Sequence, residues 1–372
     1  MSESPIKVLL LAGRFEVRGS SARTLHLAEN LPEHGIQPRI LCLDAARVDP
    51  ERRKKYEMTV MRMLDTPLVD RLYRHFLYQD LQDKPPDLIH VQWRGMLPLG
   101  RWLAKHLERP YIVTVHDYLD PQDAFKFDHH WGRRVIAVSD SVKQELLFQT
   151  KLSSDIVTVI HSGVPTEDVD QGLPVLDVEH MPVVGTAGPL EAAKGLDFFL
   201  RAARIVAHSR PDVQFLIAGA GPEESRLRRM VGELKMTGQV TFVPNVFDFT
   251  SSLEAMDIFC LPALKQGLGT IMLEAMARSK PVIATKAGGV DSVVRDGETG
   301  LLVAPSDADD LAGRMLELLS DPARARAIGR RGRDIVAEQF RIDTMVQMTA
   351  DLYRRVITEE AEQGPVIAGR IA

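Results

Sequence analysis

The sequence predicts an α/β fold built from two doubly wound, parallel-sheet halves. Short apolar runs rich in leucine and β-branched residues recur along the chain, amphipathic segments of helical period separate them, and the series breaks and restarts around a turn-rich stretch at 171–182. Runs of this kind suit strands buried on both faces. Their alternation with helices implies parallel pairing through right-handed crossovers. With 372 residues, 45% of them hydrophobic and 26% charged, the chain is long for one domain and can bury two cores.

The first series of strands falls at 6–12, 39–43, 88–91, 111–115, 135–138 and 156–160. Between the first two, Ser20 or Ser21 can cap a helix whose apolar stripe is Ala22, Leu25, Ala28 and Leu31, with Gly35 as its stop. The second series falls at 183–186, 213–218, 240–243, 258–261, 282–285 and 301–303. Gly172, Pro174 and Pro182 interrupt the periodicity between them. Beyond Ser306 the pattern is helical, in stretches starting at Asp307, Pro322 and Arg341, and a frayed tail is expected from about Glu359. The expected organisation is a first domain over 1–175, a second over 176–340, and a terminal helix and tail over 341–372. In such sheets ligands sit outside the carboxyl ends of the strands, so residues just after strands carry most of the functional information.

Net charge is −5. Acidic and basic residues are nearly balanced in both halves, and neither half reads as a nucleic-acid binder. Cys42 and Cys260 lie in strand-like apolar runs of different halves, which favours core packing in a reducing cytoplasm over a disulfide. The start, MSESPIKVLLLAG, has no basic leader or small-residue cleavage site, and no apolar stretch approaches the ~20 residues of a membrane span. A soluble, cytoplasmic protein is expected. A basic cluster, Arg52, Arg53, Lys54 and Lys55, is followed by Met58, Val60, Met61, Met63 and Leu64. Two readings stay open for it: a peripheral contact with the anionic inner face of a membrane carrying a lipid-linked acceptor, or a solvated helix face with a core stripe.

The strongest local pattern is CLPALKQGLGTIMLEAMARSKPVIATKAGGVDSVVRDGETGLLV, at 260–303. Gly267 and Gly269 let a loop after a strand pass close to a ligand, and a helix starting near Thr270 would aim free N–H groups and its positive end at the same place. A phosphate fits there. Glu274, one turn into that helix, has the geometry to accept from two vicinal hydroxyls. The alternative is an ordinary strand-to-helix connection with glycines needed for packing. His116 and Asp117 follow the strand YIVTV and so stand at the carboxyl edge of the first sheet. Lys194, in GPLEAAKG, is read as lying early in a helix, where a cation opposes the dipole and so points to a neighbouring anion, the alternative being a solvated surface lysine.

The 260–303 stretch resembles the donor-site pattern of the retaining GT-B glycosyltransferases of family 4 type (glycosyl transferases group 1), which include glycogen synthase-like and phosphatidylinositol mannosyltransferase-like enzymes. That family brackets the loop with two glutamates separated by seven intervening residues and follows it with a small-Gly-Gly turn. Here the second glutamate is Glu274 and the glycine pair is Gly288 and Gly289. The resemblance continues through 13–19, 114–117, 137–139, 160–164, 188–195 and 219–222. It implies two Rossmann-like domains facing across a cleft, a nucleotide-diphosphate sugar as donor, a sugar, lipid-linked or small-molecule acceptor, and neither a metal nor a further cofactor. His116 is then placed beside the reacting carbon of the donor sugar, and Lys194 on the diphosphate, with Gln266 and Glu274 completing the catalytic set. Gly19, Ser20, Asp117, Gly188, Pro189, Asn245, Val246, Gly267, Leu268, Gly269, Thr270 and Ile271 line the substrate pocket. The terminal helix is expected to cross back to the first domain.

The sequence departs from the family pattern at three positions. Pro189 stands where an arginine usually grips the diphosphate, Gln266 replaces the first glutamate, and Ser292 replaces a glutamate after the Gly-Gly turn. Arg18, Arg23 and Lys265 are the candidate replacement cations. Ser20 replaces the second glycine of the first loop. Asp307, Ala308 and Asp309 look like a metal-binding DxD but are read as a helix start, where acidic residues complement the dipole. Two other readings compete with the transferase: a sugar-nucleotide-binding protein with lost turnover, and a non-hydrolysing sugar-nucleotide epimerase of the same architecture.

Overall fold

The computed structural model describes residues 4–16, 19–66, 69–119, 125–166, 174–244 and 249–363. Among the described residues, thirteen strands form two all-parallel sheets. The first holds β1 (Ile6–Leu11), β2 (Ile36–Cys42), β3 (Met58–Val60), β4 (Leu88–Val91), β5 (Tyr111–Val115), β6 (Gly132–Ala137) and β7 (Val157–Val159), in the order β3-β2-β1-β4-β5-β6-β7. The second holds β8 (Val183–Ala187), β9 (Gln214–Ala218), β10 (Val240–Val243), β11 (Ile258–Leu261), β12 (Val282–Thr285) and β13 (Leu301–Val303), in the order β10-β9-β8-β11-β12-β13. Each sheet winds outward, returns to its middle and winds the other way. The order therefore reverses between β1 and β4 and between β8 and β11, and a doubly wound sheet opens its ligand crevice at that reversal.

The central strands are apolar because helices cover both faces. All of β4, β5, β11 and β12 is buried, and Cys42 and Cys260 are free thiols buried within β2 and β11. In the second unit, the helix Leu196–Ser209 turns Phe199, Leu200, Ala203 and Val206 into a core shared with Phe215, Ile217, Ile258 and Ile283.

The chain divides into two compact units, one made of Met1–His161 with Asp343–Ala372 and the other of Ser162–Ile342. The division comes ahead of the turns at 174–182, which are strapped onto the second unit. Buried Asp257 accepts from the backbone N–H of Leu176 (2.7 Å) and Val183 (2.8 Å) and from His180 (2.9 Å), while Arg326 donates to the Val175 carbonyl (3.0 Å). The helix Ile342–Gln363 completes the first unit. Its Tyr353 is fully buried, Glu360 pairs with Arg133, and Glu359 takes both oxygens to Arg134 at 2.7 Å. Those ion pairs keep 359–363 helical, where a frayed tail was expected.

Other local expectations change as well. β2 begins at Ile36, because its first residues pair with β1 from Ile6 onward despite Pro38. The first helix, Gly19–Asn30, already contains Ser20 and Ser21, so neither caps it; Ser21 Oγ instead accepts from the N–H of Glu16 (3.2 Å). Gly35 closes the following 3-10 turn in a left-handed conformation. The basic cluster is a short helix, Pro50–Lys55, and the apolar residues after it begin with the edge strand β3 rather than a helical stripe. Within it Arg52 pairs with Glu29 (2.8 Å) and Lys54 with Glu51 (3.0 Å). No helix among the described residues is long and apolar enough to cross a membrane.

Candidate functional site

In the second unit the loops after β8 and β11, on either side of the reversal, are tied together. The loop after β8 ends in a 3-10 turn, Ala192–Lys194, and Gly195 then adopts φ 62° ahead of the helix Leu196–Ser209. Lys194 is therefore the last residue of this turn and not part of the helix. A β-carbon on Gly195 would lie 2.0 Å from the carbonyl oxygen of Pro262, so only glycine lets the two loops approach this closely. The N–H of Leu264 donates back to Ala193 O (2.9 Å). Across this seam the Lys194 ammonium donates to Gln266 Oε1 at 3.0 Å.

The loop after β11 runs through half-buried Lys265 and Gln266 to buried Gly267, Leu268 and Gly269. Gly269, at φ 84°, starts the helix Thr270–Ala277, and no side chain caps that start. Its first N–H groups consequently have no capping oxygen from Gly269 and carry the helix's positive end. The Gly-Gly turn packs from the other side: the N–H of Gly289 donates to Gly267 O (2.9 Å) and Gln266 O (3.3 Å), and Ser292 Oγ donates to Gly289 O (2.6 Å). Thr285 Oγ donates to Ala263 O beneath the loop. Thr270, Ile271 and Glu274 are half-buried on the helix, with Glu274 one turn in. Gly188 and Pro189 follow β8, and the N–H of Leu190 donates to Ala220 O (3.0 Å), joining the 219–222 loop to the group. Thus Lys194, Gln266, Gly267, Leu268, Gly269, Thr270, Gly288 and Gly289 come together at one edge of one sheet. Asn245 and Val246 lie outside the described residues.

The corresponding edge of the first unit carries His116 and Asp117, directly after β5. His116 Nε2 lies 3.0 Å from the carbonyl oxygen of Gln92. A carbonyl only accepts, so Nε2 carries the proton. Loss of water around the ring, followed by the nearby Arg23, lowers the His116 pKa to about 3. The ring is therefore neutral and its Nδ1 is a bare acceptor. The Asp117 carboxylate accepts from the N–H of Tyr118 (3.0 Å). Gly19 and Ser20 open the first helix, half-buried.

Sequence reasoning missed the buried polar group behind His116. His90 is fully buried in β4, with Nδ1 2.6 Å from Tyr353 Oη and Nε2 2.7 Å from Thr114 Oγ. Burial, then Arg23 and His116, hold it well below the ordinary imidazole value. A strand buried on both faces calls for an apolar residue there; the only cue was a histidine inside a β-run, with a tyrosine in a helix far along the chain. Arg23 is buried too, its Nη1 donating to Ile160 O (3.2 Å) and His161 O (3.1 Å), which fixes the guanidinium on the first unit's own backbone. Its pKa falls to about 10 through burial. Of the three proposed replacement cations, Arg18 lies outside the described residues, Arg23 is anchored in this way, and Lys265 stands half-buried on the loop beside Gln266. Asp307 accepts from the N–H of Asp310 (2.9 Å) and so caps the helix Ala308–Ser320.

The chain matches the family models described as Glycosyl transferases group 1, over 176–335, and Glycosyltransferase Family 4, over 17–168. It is 32% identical over 291 residues to N-acetyl-alpha-D-glucosaminyl L-malate synthase of Bacillus anthracis, covering 74% of this chain and 76% of that protein. It is 37% identical over 171 residues to a GDP-mannose-dependent phosphatidylinositol monomannoside mannosyltransferase of Corynebacterium glutamicum, a match spanning under half of either chain (44% and 45%). Among solved structures it resembles a glycosyltransferase from Rickettsia africae (TM-score 0.80, 21% identity, covering 95% and 99% of the two chains). It also resembles Anabaena Alr3699/HepE in complex with UDP-glucose (TM-score 0.80, 19% identity, covering 94% and 100%). With both sheets, the loop set at 188–292 and these likenesses together, the chain belongs to the glycosyl transferases group 1, the family 4-like glycosyltransferases of GT-B fold.

Proposed function

We propose that the chain moves a sugar from a nucleoside diphosphate donor to an acceptor hydroxyl with retention at the anomeric carbon, without a metal or any cofactor beyond the donor. The contact between Lys194 and Gln266 carries this reading. It holds an ammonium at the reversal point of the second sheet, beside a helix whose glycine start has no side chain to cap it, and that pairing of a cation with the helix's positive end is suited to a diphosphate. Lys194 and the Gly269 amide region stabilise the departing diphosphate. Glu274 accepts from the ribose hydroxyls, and neutral His116 accepts a sugar hydroxyl through Nδ1. Gly188, Pro189, Asn245, Val246, Leu268 and Ile271 complete the donor side, with Gly19, Ser20 and Asp117 on the first unit. The UDP-glucose complex of the Anabaena protein and the GDP-mannose dependence in the Corynebacterium relative's name support a UDP- or GDP-linked donor.

Two of the three departures from the family pattern offset each other electrically, while Ser292 removes a further negative charge. Pro189 removes a positive charge and Gln266 removes a negative one, so the pair leaves the net charge facing the diphosphate unchanged. A carboxylate at 266 would bind the Lys194 ammonium as an ion pair; the amide engages it and leaves its full charge to the donor. These same positions favour a second reading, a sugar-nucleotide-binding protein with weak or lost turnover.

A melting-temperature screen with UDP, GDP and their sugars, followed by transfer and hydrolysis assays, tests both readings. A shift with product supports transfer, binding across the donor panel with no product supports the second reading, and no shift with any of them overturns both. A cytoplasmic enzyme working peripherally at an anionic membrane surface also fits, through exposed Arg53, Lys55, Leu72 and Phe76. Liposome co-sedimentation without dependence on anionic lipid would remove that part.

A further inference from the structure

Trp93 follows β4 at the reversal point of the first sheet, where β4 runs beside β1. Two glycines make its seat. A β-carbon on Gly13, just after β1, would lie 2.5 Å from Trp93 Cε3, and one on Gly95 would lie 2.3 Å from Cη2. Neither position tolerates a side chain while the indole stays where it is. The backbone around it is also pinned. The N–H of Gln92 donates to Leu11 O (2.9 Å), the N–H of Met96 donates to Trp93 O (2.8 Å), and the Gln92 carbonyl accepts from His116 (3.0 Å). Even so, Trp93 is 44% exposed.

A large ring that two bare backbone positions hold still, yet leave open to solvent, is wasteful as core and well suited as a contact surface. Polar groups lie beside it. The Gln92 carbonyl next to Trp93 holds His116, whose Nδ1 is an unprotonated acceptor, the Arg94 guanidinium donates to Tyr118 O (3.3 Å), and Asp117 follows His116 in the same loop. An aromatic plate with acceptors and a cation around it matches a pyranose ring, which offers a C–H face to the indole and hydroxyls to its neighbours. A hydrocarbon chain would leave those polar groups unmatched.

We propose that Trp93 is the stacking platform for the acceptor's sugar ring, so that the acceptor is a glycoside or glycosylated molecule recognised by its carbohydrate part. The proposal rests on the glycosyltransferase reading, and the test separates the two. The chain has three tryptophans; Trp131 is buried and Trp102 is stacked on His106, so acrylamide quenching of tryptophan fluorescence reports chiefly on Trp93. Methyl α-mannopyranoside and methyl α-glucopyranoside are titrated in the presence of saturating UDP or GDP. At least one should protect against quenching saturably in the wild type, and Trp93→Phe, which removes the reporting ring, should lose the protectable signal and so show that it arises at position 93. Gly95→Ala, which pushes the indole off its seat, should abolish protection with the circular dichroism spectrum unchanged. In transfer to the protecting glycoside, Trp93→Ala should raise the acceptor KM by about tenfold while the donor KM stays constant. Absence of protection by both glycosides in a protein whose melting temperature UDP or GDP raises would overturn the platform and leave the donor reading standing. Protection by octanol or by a free nucleoside, without protection by glycosides, would overturn it in favour of another occupant. Protection by glycosides in a protein that neither nucleotide stabilises would uphold the platform and remove the donor reading.

Discussion

Replacing Gln266 by glutamate should weaken donor binding, although it restores the residue the family pattern calls for. The Lys194 ammonium lies 3.0 Å from Gln266 Oε1. A carboxylate there would sit on one side of the ammonium with the diphosphate on the other, putting the two negative groups about 6 Å apart. At effective dielectric constants of roughly 40 to 80, each pair of unit charges at that distance repels by about 0.7 to 1.4 kcal/mol, equivalent to about a 3- to 10-fold rise in Kd. Lys194→Met sets the upper scale, since losing a charge-assisted hydrogen bond costs about 1.5 to 3 kcal/mol, roughly 10- to 150-fold. Pro189→Arg should largely cancel the Gln266→Glu effect, because the added cation takes up the new carboxylate's charge. The double variant should then bind better than the product of the single changes allows, by about 1 kcal/mol. Calorimetric titration of UDP and GDP at low ionic strength into the wild type, the three single variants and the double variant measures all of these. Equal or tighter binding by Gln266→Glu alone would refute the charge-compensation argument.

Gly195→Ala should destabilise the second unit by at least about 2 kcal/mol, combining a left-handed backbone with a β-carbon driven onto the Pro262 carbonyl; urea unfolding measures it, and a midpoint within error of the wild type would count against the seam. Tyr353→Phe removes a 2.6 Å hydrogen bond to buried His90 and should cost about 1 to 3 kcal/mol in the first unit, with a silent result in hydrogen exchange of β4 and β5 counting against it. His90 and His116 are both held below their ordinary value, so as pH falls the unfolded chain takes up protons before the folded one. The His116 contribution is complete above pH 6.5 and is lost as pH drops from there toward about 3, and that of His90 is lost in the same direction. The urea midpoint should fall between about pH 7 and 4.5, and less so in His116→Gln; identical pH slopes in the two proteins would contradict the assignment. Asp257→Ala strands the N–H groups of Leu176 and Val183 and should cost roughly 3 kcal/mol, visible as early proteolysis at 174–182 if the strap argument holds.

The alternation of apolar runs and helical segments was legible because parallel strands buried on both faces leave an uninterrupted apolar record, as β4, β5, β11 and β12 do. β3 was not, because a three-residue edge strand buries little and its Met58 and Val60 fit a helical stripe equally well. The glycine loops were legible through chemistry that only glycine allows, and Gly195 and Gly269 bear positive φ where they stand. The contact of Lys194 with Gln266 was not, since the two residues are 72 positions apart and meet only because β8 and β11 are neighbours. The group formed by His90, Thr114 and Tyr353 was hidden for the same reason. Residues 174–182 are turns, but composition could not reveal which unit they would be hydrogen-bonded to.

The second unit is one continuous stretch of chain, whereas the first is assembled from its beginning and from residues 343 onward. On the ribosome, then, β1 to β7 emerge and must wait through the synthesis of 162–342 before Tyr353 can reach His90 and Glu359 and Glu360 can neutralise Arg134 and Arg133. During that interval a seven-stranded sheet has a bare flank and two uncompensated arginines, and it becomes the segment most dependent on chaperones. A released chain truncated after residue 342 should accordingly hold a protease-resistant 162–342 fragment beside a digestible amino-terminal portion.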